Sequence, residues 1–371
     1  MSKLLTLAPM NPPPASAAEQ VLRVLMVQVG DPLPDRGDDP SAMEMNSLSD
    51  EGRRWFRKKD IINASSQMYS LVQCNVFVAY GFLSDRKSPW KLFRAGCKIR
   101  RIVRQENIQM VHVLWGTTTG AMVVLFSPVP VIISFCGSDL FGAVDAFGRR
   151  LFGGRISRLL SQLSALGATK VIVKSRALKQ VLLRCTHPKT LILPNGVDFT
   201  LFYPMARDLA RSRLNWNLAE KTVLFFTGNG AIVKNRPLAE AVFIQVQASV
   251  PEARLCCVEN VSHEELLYYY NAADVMLLTS HYEGSNNSLK EALCCNLPVV
   301  SVDCGDAIER LEGVQNCAVL RDRDPASLAR EVVGILQRGL RSNGRDHMAD
   351  LELRAIAGRL REVYSNTLRS P

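Results

Sequence analysis

From residue 24 onward the chain repeats one pattern. Short apolar runs alternate with longer stretches of mixed polarity, first at 24–29, 73–78, 110–114, 131–135, 170–173 and 191–193, then at 223–226, 254–258, 274–278, 299–302 and 317–320. Continuous apolar runs bounded by turn residues predict strands covered on both faces, and the amphipathic stretches between them predict crossover helices. The expected fold is α/β, with two doubly wound Rossmann-like domains built on parallel sheets. Ligands of such sheets bind beyond the carboxyl ends of the strands, so two of them facing each other would form an interdomain cleft.

The turn-rich segment Pro194-Asn-Gly-Val-Asp198 closes the first series, and the boundary is expected within 202–217. The division is therefore 1–20 as a disordered tail, 21–202 as an N-terminal domain, 203–345 as a C-terminal domain, and 346–371 as a closing helical segment packed across both. Lys3 and a few leucines imitate a leader, but the apolar segment is short and Pro12, Pro13 and Pro14 break it.

At 371 residues the chain exceeds one ordinary core, and 47% apolar with 22% charged residues fits a globular protein. The best candidate for a membrane span, 121–135, is interrupted by Ser127, Pro128 and Pro130. Ten cysteines occur without Cys-x-x-Cys spacing, and the pairs Cys256-Cys257 and Cys294-Cys295 lie in apolar stretches, which implies a reducing compartment and no zinc.

Charge divides the chain unevenly. Residues 51–190 hold 23 Lys or Arg against 6 Asp or Glu, a balance of +17 within a total of +10, leaving −7 elsewhere. The basic clusters at 53–59 and 87–104, the second interleaved with Trp90, Leu92, Phe93, Ile99 and Ile102, read as amphipathic helices able to lie on anionic lipid. A plain solvated basic face is the alternative, and nucleic acid is disfavoured because no nucleic-acid-binding motif accompanies the charge.

The chemistry concentrates between Thr279 and Val300. The run 274–278 ends in polar residues and Gly284, a helix opens near Ser288, and two acids, Glu283 and Glu291, flank the turn. Small residues Ser285, Asn286, Asn287 and Ser288 leave backbone N–H groups accessible, and a helix N-terminus offers free donors suited to a diphosphate. Asn296 tolerates left-handed backbone and closes that helix, and Pro298 precedes the next strand. Ser288-Leu-Lys-Glu291 also satisfies a capping box, in which Glu291 would only bond its own helix start.

Acid, seven residues, acid, followed by Leu297-Pro298-Val-Val, resembles the signature of family 4 retaining glycosyltransferases, and the order of motifs over 22–366 resembles their GT-B architecture. Within that resemblance Pro194–Asp198 is similar to the interdomain segment, 131–140 with Gly137-Ser-Asp139 to the central N-domain strand and acceptor-side loop, and 29–37 with Gly37 to the first phosphate-side loop. The resemblance implies that Glu283 contacts donor-sugar hydroxyls, that Glu291 contacts the ribose, and that backbone amides from Asn286 to Leu289 bind sugar and phosphate. The family's paired cations for the departing diphosphate fall on Asn229 and Lys234, with Arg236 close behind. Asn229 is a departure that removes one cation, and Cys136 is another, standing where many relatives carry a sugar-contacting His.

Asp139 is the further catalytic candidate, either orienting an acceptor hydroxyl or capping the helix after Gly137. His112, alone on an apolar strand, reads as a core residue, whereas His281 sits beside the signature. The expected activity is retaining transfer of a sugar from a nucleoside diphosphate donor to a glycan or lipid-linked acceptor hydroxyl, without cofactor or metal, on the cytoplasmic membrane face. Asp322-Arg-Asp324 precedes Pro325 and reads as a capped turn. The rival reading is a non-catalytic nucleotide-sugar-binding scaffold, which would retain the fold and show no turnover.

Overall fold

The computed structural model describes residues 22–29, 76–83, 89–142, 144–145, 148–149, 151–228 and 232–369. The expectations placed on the tail 1–20, on Gly37, on the cluster 53–59 and on Asn229 lie outside them.

The first series of runs forms β1 (Leu22–Val29), β2 (Val76–Leu83), β3 (Met110–Leu114), β4 (Val131–Phe135), β5 (Lys170–Val173) and β6 (Thr190–Ile192). Interleaved are α1 (Pro89–Gln105), α2 (Thr118–Phe126), α3 (Ser138–Phe141), α4 (Phe152–Gly167) and α5 (Arg176–Val181). All six strands run parallel in the order β2-β1-β3-β4-β5-β6. β2 reaches past the expected 73–78 because β1 offers it an eight-residue ladder, from Leu22↔Val76 to Val29↔Leu83.

The second series forms β7 (Lys221–Phe226), β8 (Ala253–Val258), β9 (Val275–Leu278), β10 (Val299–Val302) and β11 (Ala318–Leu320). Their partners are α6 (Arg207–Leu214), α7 (Arg236–Ser249), α8 (Leu266–Ala272), α9 (Asn287–Cys294), α10 (Ala307–Leu311), α11 (Pro325–Arg338) and α12 (Leu353–Arg369). This sheet is also parallel, ordered β11-β10-β9-β7-β8. The architecture is the two-domain GT-B arrangement. Its strand order reverses between β7 and β9, where a doubly wound sheet leaves a crevice at the strands' carboxyl ends.

The apolar pattern decides which face each helix turns inward. In α1, Ile99, Ile102 and Val103 are buried in the N-terminal core, leaving Arg94, Arg100, Arg101 and Arg104 exposed. Its apolar positions at 99, 102 and 103 belong to the core, while Phe93, 48% exposed, shares the outer face with Arg100 and Arg104.

One apolar cluster runs from the N-terminal sheet through Leu224, Tyr270 and Leu289 to Ile356, Leu360 and Tyr364 of α12. A second lies on the other side of the C-terminal sheet, under α7 and α11. The connection at 194–198 is held against the closing segment: Val197 N–H donates to the Leu351 carbonyl at 2.8 Å and Leu353 N–H to the Val197 carbonyl at 3.2 Å. Further along α12, the Tyr364 hydroxyl lies 2.7 Å from His112 Nδ1, while His112 Nε2 lies 2.7 Å from Ser134 Oγ. Burial pushes the imidazole down to about 3, so it is neutral, with one nitrogen donating and the other accepting. His112 is thus a core residue that ties α12 to the sheet.

Candidate active site

The crevice at the β7/β9 reversal receives two side chains at once. Lys234 ends a short 3₁₀ turn, Ile232–Lys234, after β7, and Glu283 follows β9. Lys234 Nζ donates to Glu283 Oε1 at 2.7 Å, and the same oxygen accepts from Ser280 Oγ at 2.8 Å and Asn286 Nδ2 at 3.1 Å. Residues 49 apart in sequence meet because both loops leave adjacent strands at the same edge.

The turn into α9 is built from below. Asn286 is the N-cap, its side chain accepting from Leu289 N–H at 3.0 Å, and its own N–H donates to Asp306 Oδ1 at 3.3 Å. Ser285 Oγ donates to Asp306 Oδ2 at 2.7 Å, while Lys290 Nζ, fully buried, donates to Ser285 Oγ at 3.0 Å and to the Asn195 carbonyl at 2.9 Å. Burial pushes the Lys290 ammonium down to about 8 and the Asp306 carboxyl upward; the mutual attraction of the two opposes both shifts. Of the four amides expected to meet sugar and phosphate, those of Asn286 and Leu289 are therefore taken by the protein. Asn287 and Ser288 present theirs in the first turn, where no intrahelical acceptor exists.

Glu291 turns away from its own helix start. Oε2 accepts from the Tyr270 hydroxyl at 2.7 Å and Oε1 lies 3.2 Å from His263 Nε2. The capping-box alternative is corrected, because Asn286 does the capping two residues earlier than Ser288. The bond to Glu291 raises the imidazole of His263 above its ordinary value, against the pull of burial.

The N-terminal domain closes on this turn through backbone. A Cβ on Gly284 would collide with the Cys136 carbonyl oxygen, and one on Gly137, whose φ is +142°, would stand 3.1 Å from Gly284 N. Tyr282 hydroxyl donates to the Gly142 carbonyl at 3.0 Å, and His281 lies against Gly148, where a Cβ would be 3.0 Å from its Nδ1. Burial pushes the Cys136 thiol up to about 12, so Cys136 reaches the cleft as a neutral group.

Asp139 and Arg236 are each held by protein partners. Asp139 is only 3% exposed, and its carboxylate accepts from the N–H groups of Cys136, Gly137, Leu140 and Gly116. Burial raises its carboxyl and these donors oppose the rise. It braces the loop, the structural one of its two readings. Arg236, expected near the diphosphate, is 55% exposed and pairs with Glu240 at 2.8 Å one turn along α7.

Lys290, Asp306, His263 and Tyr270 went unread in the sequence. Lys290 stands beside the buried Leu289 in a helical pattern that gives a lysine no reason to point inward, and only the packing against Asn195 reveals it. Among the described residues no group of three or more His, Cys, Asp or Glu side chains is arranged to hold a metal ion. A surface cavity of about 480 Å³, lined by Asn217, Glu220, Phe243 and Arg254, opens at the starts of β7 and β8 and is remote from the acids.

Residues 212–338 match the profile of the family described as glycosyl transferases group 1. The D-inositol 3-phosphate glycosyltransferase of Geodermatophilus obscurus is 27% identical over 185 residues, covering 40% of this chain and 41% of that relative, so this chain matches about two fifths of the relative's length. Among solved structures, sucrose-phosphate synthase from Thermosynechococcus elongatus superposes with a TM-score of 0.71 at 18% identity, over 94% of this chain and 100% of that one. HepE from Anabaena, solved with UDP and glucose, gives a TM-score of 0.62 at 14% identity over 93% and 100%. At these identities the structures establish the fold.

Proposed function

We propose that the protein is a retaining glycosyltransferase that moves a sugar from a nucleoside diphosphate sugar to an acceptor hydroxyl on a glycan or lipid-linked precursor, as in assembly of cell-envelope polysaccharide. The observation that carries this reading is the meeting of Lys234 and Glu283 at 2.7 Å in the crevice of the C-terminal sheet. Glu283 has lone pairs for sugar hydroxyls. Lys234, held by that carboxylate, supplies the positive charge that a departing diphosphate requires, together with the N–H groups of Asn287 and Ser288. Stabilising charge that develops on the leaving group is the largest service such a site can give. Glu291, oriented by Tyr270 and His263, would receive the ribose.

In this mechanism the acceptor attacks on the face from which the diphosphate leaves, and the diphosphate takes the acceptor's proton. No protein nucleophile and no metal takes part. Asp139 acts only by holding the Cys136–Gly137 backbone against Gly284, which sets the width of the cleft. The protein is proposed to work in the cytoplasm, peripheral to the inner face of the membrane; no described helix is long and apolar enough to cross one.

The test is mass-spectrometric detection of transfer from a panel of nucleotide sugars to membrane extract of the source cell, with Glu283→Ala and Glu291→Ala as controls. Product from the wild type that disappears in both variants supports the reading. Calorimetric nucleotide binding with no product from any donor would favour the scaffold instead.

A further inference from the structure

The amphipathicity of α4 is inverted. Its buried positions are Gly154, Ser161, Gln162, Ser164 and Ala165, small or polar, whereas Phe152, Ile156, Leu159, Leu163 and Leu166 are 76%, 49%, 61%, 51% and 45% exposed. The inward face needs small residues because α4 packs closely on α2 and bonds through its polar groups: Ser161 Oγ to the Asp139 carbonyl at 2.8 Å, and Gln162 Nε2 to the Val181 carbonyl at 2.9 Å. The outward face has no such demand. At 100° per residue, its five large side chains fall within an arc of about 80°, a continuous stripe on a helix about 24 Å long. Scattered exposed leucines are ordinary, but an aligned stripe of this kind marks an interaction surface.

Charge identifies what covers it. Between Asp145 and Asp198 the chain has ten Lys or Arg and no Asp or Glu. Arg155 on α4 itself, and Arg176 and Arg184 beyond it, are exposed. In the same helical layer, α1 packs on α2 and α2 on α4. The layer adds the exposed Arg94, Arg100, Arg101 and Arg104 of α1, and Leu125 of α2 at 80% exposure. A second copy of this chain seated on the stripe would bring two basic surfaces together, each relieved where Arg176 meets Glu309 at 3.7 Å. An anionic bilayer satisfies both features, since the apolar stripe enters the acyl boundary while guanidinium groups meet lipid phosphates.

We propose that α4, with the basic rim of its layer, is a docking surface for an anionic lipid bilayer. This rests on and deepens the membrane part of the proposed function, centring it on a helix picked out by exposure and keeping the α1 arginines of the 87–104 cluster as its rim. α4 is linked to the cleft through Asp139: Ser161 holds its carbonyl, and its carboxylate holds the Cys136–Gly137 loop. Docking there would present the acceptor side of the cleft to lipid-borne hydroxyls.

The test uses the full chain with no donor or acceptor, so that it is independent of transferase activity. Flotation with phosphatidylglycerol vesicles and with phosphatidylcholine vesicles is measured at low and high salt for the wild type and for Leu159→Ser/Leu163→Ser. Both positions are exposed, so the variant is expected to keep the wild-type thermal midpoint. The expected result is retention on phosphatidylglycerol, weaker on phosphatidylcholine, that falls about tenfold in the variant and falls again with salt. Equal retention of variant and wild type, or none on phosphatidylglycerol, would overturn the proposal. So would a wild-type dimer in sedimentation velocity that the same two substitutions dissolve, which would assign the stripe to a second copy. Arg155→Glu is the companion variant: it leaves the stripe intact and should weaken retention on anionic vesicles alone.

Discussion

The two domains share one plan, a parallel sheet with loops gathered at the strand ends, yet they treat the carboxylates at those ends in opposite ways. In the N-terminal domain Asp139 folds back onto the N–H groups of its own loop and of Gly116 and is sealed from the cleft. In the C-terminal domain the corresponding backbone demand beneath the turn is met by Asp306 and by the Asn286 cap. Glu283 is thereby left to side-chain partners that a ligand can displace. A carboxylate is available for chemistry only where something else has satisfied the local amides. Within the C-terminal domain the cations divide in a similar way: Lys234 enters the crevice while Arg236, two residues later, points to solvent.

The strongest way to break the comparison is to remove the cation on the open side. Lys234→Ala is expected to lower kcat for transfer by about 10²–10³, the magnitude found when one preorganised charge-stabilising group is lost, with the fold intact by thermal melting. An unchanged kcat would shift the diphosphate's charge partner elsewhere. Asp139→Asn tests the closed side. Replacing one acceptor oxygen by a donor group faces buried N–H groups with no partner and should cost about 1–3 kcal/mol in denaturant unfolding, while transfer per folded molecule stays close to wild type. Lost turnover at full stability would make Asp139 a catalytic group after all.

The smallest effect concerns His263. Glu291 raises its folded-state value, so its contribution to stability is fully present below the ordinary histidine value of about 6.5 and is lost as pH rises through the higher folded value. Thermal midpoints of wild type and His263→Gln should therefore differ more at pH 6 than at pH 8.5. A gap independent of pH would mean that the ring acts through its packing on Phe202.

Most strands were legible because parallel strands covered on both faces must be apolar throughout, and the runs at 110–114, 131–135, 170–173 and 299–302 coincide with β3, β4, β5 and β10. The turn at Glu283, the opening of α9 and its close at Asn296, whose φ is +54°, were legible because caps and left-handed positions are written in local residue types. Less legible was the side-chain use of each charged residue. Nothing near Lys290 in sequence states that it will lie buried under Ser285 with Asn195 above it, since those partners are set by how two domains and a linker pack.

The same limit explains α1 and α4. Sequence alone determined that both helices are amphipathic and that the half of the chain carrying them is basic, because helical periodicity and charge are local properties. Which face points inward depends on the neighbours. α1 meets an apolar sheet and buries Ile99 and Ile102, whereas α4 is pressed against α2 so closely that only small residues fit between them, and its leucines are turned out. The sequence thus determined the elements and the chemistry of the signature turn. The tertiary structure decided which carboxylate stays open, which cation faces the crevice and which apolar stripe is exposed among the described residues, because burial and hydrogen-bond satisfaction are properties of the packed whole.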